Sequence, residues 1–356
     1  MRCVDLFSGV GGMSLGFEQA GMEVIIAIEK DPAIASGYIE NLRKTRVVVD
    51  KVENIDIESM FHPYKQHGID VVFGGPPCQG FSQKGKRLHI YDDRNYLFRY
   101  FVSVVRYLRP SFFVIENVPN ILTTANRYFY QEIYDEFSKL GYIVQARTLN
   151  ASEYGVPQHR RRAFIVGSLP PFNFEFPVPS QAVVTVNDAI SDLPPLKAGE
   201  GEEFYPYTSP ARTKYQAEMR AGAKGFFNHQ ATRHSKIALE RLAMIPHNGG
   251  GKESLTKEHL TKSIYSGTWT RLTEDEPART ITTRFDTPSS GQFTLPRQDR
   301  CLTVREAARL QSFPDSFVFT GTKSNQMLQV GNAVPPLLAK SIATAISVSA
   351  DRLLPA

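Results

Sequence analysis

Gly74-Gly75-Pro76-Pro77-Cys78-Gln79-Gly80-Phe81-Ser82 is the stretch on which the reading of this chain turns. The apolar run Val71-Val72-Phe73 feeds directly into it and has the composition of a short buried strand. Two glycines and two prolines then end the strand and stiffen the turn. The turn delivers a lone cysteine to a strand end, where α/β sheets keep their ligands and chemistry. A free cysteine is most often a small buried hydrophobe. Burial alone, however, needs neither Pro-Pro before the thiol nor Gln-Gly after it, whereas a nucleophile held at a fixed angle gains from both.

Upstream, Cys3-Val4-Asp5-Leu6-Phe7 reads as a strand followed by the glycine turn Ser8-Gly9-Val10-Gly11-Gly12, and Met13 to Ala20 as a helix closing on Gly21. Backbone N–H groups in such a turn approach a ligand closely. A second apolar run, Val24 to Ile28, ends in Glu29, 20 positions after Gly9. At that distance a second strand's carboxylate meets a ribose hydroxyl. The dinucleotide fingerprint would require glycine three positions after Gly11, and Ser14 stands there. An adenosyl ligand without a pyrophosphate fits better, with Phe7 as an aromatic wall, and S-adenosylmethionine meets that description.

Pro32 to Arg43 reads as a helix, Val47 to Asp50 as a third strand, and Tyr96 to Arg106 as an amphipathic helix. Phe112-Phe113-Val114-Ile115 is a further strand, ending in Glu116-Asn117-Val118-Pro119. A carboxylate at the end of an apolar strand is costly to bury unless it is paired or protonated. Tyr128 to Leu140 is helical in pattern, and Gly141 to Thr148 strand-like. Gln158-His159-Arg160-Arg161-Arg162 then leads into a strand from Ala163 to Gly167. Alternation along an extended chain puts Gln158, Arg160 and Arg162 on one face, able to bring two guanidinium groups toward the Cys78–Glu116 edge.

From about Pro170 prolines become frequent and long regular elements are hard to find. Phe204 to Lys262 holds ten Lys and Arg against four Asp and Glu, a net +6, with interspersed aromatics, as in a nucleic-acid reader. Order returns with a helix from Arg305 to Leu310, and Gln329 to Pro336 is read as opening a last helix that runs to about Val348.

The 356 residues suffice for a full α/β core and a second, smaller domain. A formal charge of +5 is compatible with a polyanionic partner. The three cysteines are far apart and form no Cys-x-x-Cys pair, which disfavours a disulfide framework and a zinc site and suits a reducing cytoplasm. A strand at the very N-terminus leaves no room for a signal peptide, and no unbroken apolar run is long enough to cross a bilayer.

Taken together and in order, Asp5 to Gly12, Gly74 to Ser82, Glu116-Asn117-Val118, Gln158 to Arg162 and Gln329 to Pro336 resemble the sequence blocks of the C5-cytosine DNA methyltransferases. The resemblance covers roughly residues 1–167 and 271–349. It implies an α/β fold of the S-adenosylmethionine-dependent, Rossmann-like type: a mostly parallel sheet with helices on both faces, plus a smaller irregular target-recognition domain. The corresponding divisions are 1–170, catalytic and cofactor-binding; 171–270, recognition; and 271–356, a C-terminal return whose last helix packs on the catalytic domain.

By the same resemblance Cys78 attacks C6 of a flipped-out cytosine, Glu116 holds its N3 edge, and Arg162 and Arg160 contact the base and position Glu116. Phe7, Gly9, Gly11, Gly12, Glu29, Asp50, Pro77, Leu97 and Asn332 bind S-adenosylmethionine, which leaves as S-adenosylhomocysteine. Asp56 competes with Asp50 for the adenine contact, and Lys30 stands where the family often has a bulky apolar residue. Gln79, Ser82, Lys84, Asn117 and Gln158 contact the substrate. No metal takes part. The implied partner is double-stranded DNA with a short specific site, and possible companions include a restriction endonuclease acting on that site. The implied enzyme is a cytoplasmic, prokaryotic monomer. The Cys-Phe-Thr tripeptide of the branch that modifies transfer RNA is missing, and intact Cys78, Glu116 and Arg162 argue against a relative that only binds DNA.

Overall fold

In the computed structural model the chain is described throughout except for residues 66–67, 78–96, 181, 263–265 and 353–356. The sheet-forming part runs β1 (Arg2–Leu6), α1 (Gly12–Gln19), β2 (Glu23–Glu29), α2 (Pro32–Asn41), β3 (Arg46–Val49), α3 (Ile57–Lys65), β4 (Val71–Gly74), α4 (Phe98–Leu108), β5 (Phe112–Asn117), α5 (Tyr128–Lys139) and β6 (Ile143–Asn150). After β7 (Gln158–His159) and β8 (Arg161–Ser168) come short elements: α6 (Val186–Ile190), β9 (Phe204–Pro206), α7 (Lys214–Arg220), β10 (Gly225–Phe227), α8 (Lys236–Met244) and β11 (Ala278–Arg279). Three helices close the chain: α9 (Val304–Leu310), α10 (Lys323–Asn332) and α11 (Pro336–Asp351).

The chain divides into two compact units, one formed by Met1–Asn150, Arg161–Pro179 and Pro336–Ala356, the other by Ala151–Arg160 and Ser180–Pro335. The first contains a seven-stranded sheet in the order β3-β2-β1-β4-β5-β8-β6. β3 to β5 are mutually parallel, and β8 runs antiparallel to both β5 and β6. The order reverses direction between β1 and β4, which makes the crevice at their carboxyl ends the natural ligand site.

Strands buried on both faces must be apolar throughout, which is why Val71 to Phe73 and Phe112 to Ile115 are continuous hydrophobic runs. Val72, Phe113 and Ile115 pack with Phe101 of α4 and Phe137 of α5. On the other face Phe73 meets Phe17 of α1, with ring centroids 4.1 Å apart. α11 lies against α1 at Gly16, where a Cβ would come 2.4 Å from the Pro336 carbonyl. The segment Lys323–Asp351 has the length and apolarity of a membrane span, but half of its 18-residue apolar window is buried and residues 333–335 separate α10 from α11. Gln329 to Asn332 therefore end a helix rather than open one.

The second unit has little regular structure, and its backbone polar groups need other partners. Buried arginines supply them. Arg271 donates to the carbonyls of Leu242, Ile245, Leu295 and Gln298. Arg305 serves Phe227, Pro314 and Phe317, while Arg309 joins Asp192 and Asp315. A guanidinium with five donors suits this task.

Candidate active site

The turn after β1 is built from left-handed residues: Phe7 has φ 61°, Gly9 57° and Gly11 90°. Ser8 N–H donates to the Ile28 carbonyl and Gly11 N–H to the Ser8 carbonyl, each at 3.0 Å. Glu29, at the end of β2, accepts from Gly9 N–H through Oε2 and from Asp31 N–H through Oε1, both at 2.9 Å. Its carboxylate is thus oriented by backbone, with a lone pair left on each oxygen. A Cβ on Gly9 would meet nothing within 4 Å, so one side of the turn is open to a ligand. α1 starts at Gly12 with no side-chain cap and no acid in its first turn. Its first amides can therefore receive an anion. A diol acceptor beside such a helix start fits an adenosyl amino acid. Phe7 packs partly against the core below.

Asp50 directly follows β3, whose Val49 pairs with Glu29, so it stands beside Glu29 at the same sheet edge. Its Oδ1 accepts from Lys51 N–H at 2.7 Å and from the Asn54 amide at 2.8 Å. Asp56 instead accepts from Ser59 N–H at the start of α3. Lys30 is exposed, Leu97 is half-buried just before α4, and Asn332 ends α10 in the second unit.

The turn toward the cysteine is described as far as Pro77; Cys78, Gln79, Ser82 and Lys84 lie outside the described residues. Asn117, at the end of β5, donates to the Pro76 carbonyl at 2.8 Å, and its own Oδ1 accepts from Val118 N–H. Arg162 Nε lies 3.0 Å from Glu116 Oε1, with the two side chains 15% and 13% exposed. Burial pulls the Arg162 pKa down, and the carboxylate opposes that shift. Gly75 keeps the pair room: a Cβ there would sit 3.1 Å from Glu116 Oε2.

Gln158 and Arg160 do not share a strand with Arg162. The run is divided between β7 and β8, although burial still alternates, with Gln158 and Arg160 buried and His159 and Arg161 exposed. Arg160, 1% exposed, donates to the carbonyls of Ile281 at 2.9 Å and Gly331 at 2.8 Å. Gln158, fully buried, bonds Gln311, the Leu310 carbonyl and Ile281 N–H. Sequence reasoning missed the hold of Asn117 on Pro76, although an amide at a strand end beside a Pro-Pro turn was the available signal. Among the described residues no group of three or more His, Cys, Asp or Glu side chains is arranged to hold a metal ion.

Residues 1–348 match the family described as C-5 cytosine-specific DNA methylase. The chain is 38% identical over 375 residues to the Type II methyltransferase M.DdeI of Desulfomicrobium norvegicum, covering 98% of this chain and 88% of that one. It is also 38% identical over 346 residues to M1.HphI of Haemophilus parahaemolyticus, at 96% and 86% coverage. Among solved structures, an E. coli prophage protein described as a DNA modification methyltransferase superposes with a TM-score of 0.81 at 28% identity, over 99% of both chains.

Proposed function

The chain belongs to the C-5 cytosine-specific DNA methylase family, and from that premise we propose which of its residues carry out the reaction and how. It methylates cytosine at C5 in DNA. Carbon 5 of cytosine is a poor nucleophile, so the ring must be activated first. Cys78, as thiolate, adds to C6 and pushes electron density through the ring to C5. Glu116 holds the base at N3 and its exocyclic amine and gives a proton as C6 is attacked. Arg162 keeps the Glu116 carboxyl aimed, and Asn117 holds the Pro76 carbonyl in the turn that precedes Cys78 in sequence.

Phe7, Gly9, Gly11, Gly12, Glu29 and Asp50 hold the methyl donor, with Pro77, Leu97 and Asn332 completing the set. Bound there, S-adenosylmethionine supplies an electrophilic methyl group that the activated C5 takes up, S-adenosylhomocysteine being the spent form. Loss of the C5 proton to a base then lets the Cys78 sulfur leave and restores the aromatic ring. The target base lies outside the duplex during these steps, with Gln79, Ser82 and Lys84 on the DNA side. Arg160 and Gln158 serve to brace the second unit, whose basic surface reads the site. We further assign the protein to the cytoplasm of a prokaryote, acting as a monomer. There it protects a short DNA site against an endonuclease of the same specificity, as the Type II relatives suggest.

The Arg162–Glu116 pair, 3.0 Å apart beside the turn that leads to Cys78, is the observation that most supports this mechanism. Purified protein given labelled S-adenosylmethionine and unmethylated DNA, followed by bisulfite sequencing, tests it. Cytosines protected within one recurring site are the expected result, and Cys78→Ala abolishes the protection. Label retained by Cys78→Ala, or found on the exocyclic nitrogen, would overturn the mechanism.

A further inference from the structure

We propose that Tyr38 and Ser14 are positioning residues for donor binding, acting through a buried chain of hydroxyl groups that ends on Asp5 and sets the shape of the glycine turn. The proposal rests on the reading of that turn as the donor site. Tyr38 OH donates to Ser14 Oγ at 2.8 Å, and Ser14 Oγ donates to Asp5 Oδ2 at 2.5 Å. All three residues are at most 1% exposed. They come from three different elements, β1, α1 and α2. Asp5 lies two residues before Phe7, and Ser14 two residues after Gly12, so the chain ties together the two ends of the turn.

The ring of Tyr38 meets the turn as well. A Cβ on Gly11 would approach Tyr38 Cδ2 to 2.7 Å and Leu42 Cδ1 to 2.6 Å. Packing against Gly11 needs only a phenyl ring. The hydroxyl adds a fixed link to α1, at the cost of burying a polar group that must be bonded. Burial also holds the Asp5 carboxyl well above the usual carboxylate range, opposed by the Ser14 hydrogen bond, and nearby Glu29 acts in the same direction as burial.

This network has a job to do in the turn. Phe7 is a non-glycine residue at φ 61°, and such a conformation persists only where its surroundings over-determine it. Gly9 N–H must also stay on Glu29, to orient that carboxylate, and the uncapped first amides of α1 must stay aligned for the donor. Ser14 occupies the position where a dinucleotide site would have a third glycine, and here its side chain replaces that close packing with a hydrogen bond inward.

The test compares wild type, Tyr38→Phe, Ser14→Ala and the double variant by calorimetric titration with S-adenosylhomocysteine, thermal melting, and steady-state kinetics in the donor. Glu29→Gln serves as the control for site loss. Tyr38→Phe should raise both the product Kd and the donor KM about fivefold, the ratio that one lost buried hydrogen bond carries, with kcat at saturation unchanged. The double variant should bind no worse than Ser14→Ala alone, because both substitutions break one chain. A lower melting temperature with wild-type Kd in both single variants would make the chain merely structural and overturn the proposal. Independent, additive losses of affinity would overturn the coupling. Wild-type protein that fails to bind S-adenosylhomocysteine would instead refute the donor site itself.

Discussion

Glu29→Gln is the sharpest perturbation of the proposed donor site because it keeps shape and removes one acceptor. Each carboxylate oxygen of Glu29 accepts one backbone N–H, from Gly9 and from Asp31, at 2.9 Å. A glutamine has a single oxygen, so its NH₂ must face one of those N–H groups. Hydrogen bonds to charged groups contribute about 1.5–3 kcal/mol, and since Glu29 is only half-buried the lower end applies, giving a stability loss of about 1.5 kcal/mol. Two ribose hydroxyls bonded to an amide instead of a carboxylate lose about 1 kcal/mol each. Together that is about 2 kcal/mol, or roughly 30-fold in affinity. Titration with S-adenosylhomocysteine measures the second quantity, and guanidinium unfolding of the ligand-free protein the first. Binding within threefold of wild type, with an unchanged unfolding midpoint, would refute the assignment of Glu29 as an orienting acceptor.

Arg162→Ala leaves Glu116 without the guanidinium 3.0 Å away, and about 3 kcal/mol of lost alignment should lower single-turnover methylation roughly 100-fold while leaving donor affinity intact. Retention of the wild-type rate would remove Arg162 from the mechanism. Asn117→Ala cuts the bond to the Pro76 carbonyl and should cost about 1–2 kcal/mol in unfolding free energy, with kcat falling more than DNA affinity; a purely substrate-contact role would reverse that ranking. In the second unit, burial alone would raise the Glu306 pKa, but paired bonds from Arg300 and the Thr303 N–H bring it down to about 2 from 4.5. A depressed carboxyl pKa gives stability that is complete above pH 4.5 and lost as pH falls through 2, a total of about 3 kcal/mol. Glu306→Gln should therefore be less stable than wild type at pH 6, and the gap should close toward pH 2 in denaturant titrations.

The sheet was legible because its central strands are buried on both faces and so carry continuous apolar runs, from Val71 to Phe73 and from Phe112 to Ile115. The cradle was legible because its parts are local: a glycine turn, a helix start and an acidic residue at fixed spacing. That Asp50 stands beside Glu29 depends on the pairing of β3 with β2, which spacing does not encode. Arg160 donates to the Ile281 and Gly331 carbonyls, whereas Arg162 pairs with Glu116. Alternation does not reveal this difference, because β7 pairs with β11 while β8 pairs with β5 and β6. Equally hidden were the buried arginines of the second unit, since a cation that serves distant carbonyls looks in sequence like one that meets solvent or phosphate.

That Arg162 reaches Glu116 follows from the reversal of the last strands. A purely parallel sheet gathers only residues from the carboxyl ends of its strands at the ligand edge. β8 runs antiparallel to β5, so its first residues lie at the edge where β5 ends, with Ala163 opposite Asn117 and Phe164 opposite Glu116. Arg162 lies at the start of this ladder and is pinned on its other side by Leu149 of β6. A slip of one residue would exchange the faces of β8, turning the half-buried Arg162 away and presenting the exposed Arg161 in its place. It would also turn Ala163 and Ile165, now in the core cluster, out of it. The burial of those apolar residues on β8 therefore holds the register that aims the guanidinium, so the hydrophobic core and the Glu116 carboxyl are coupled through a single strand.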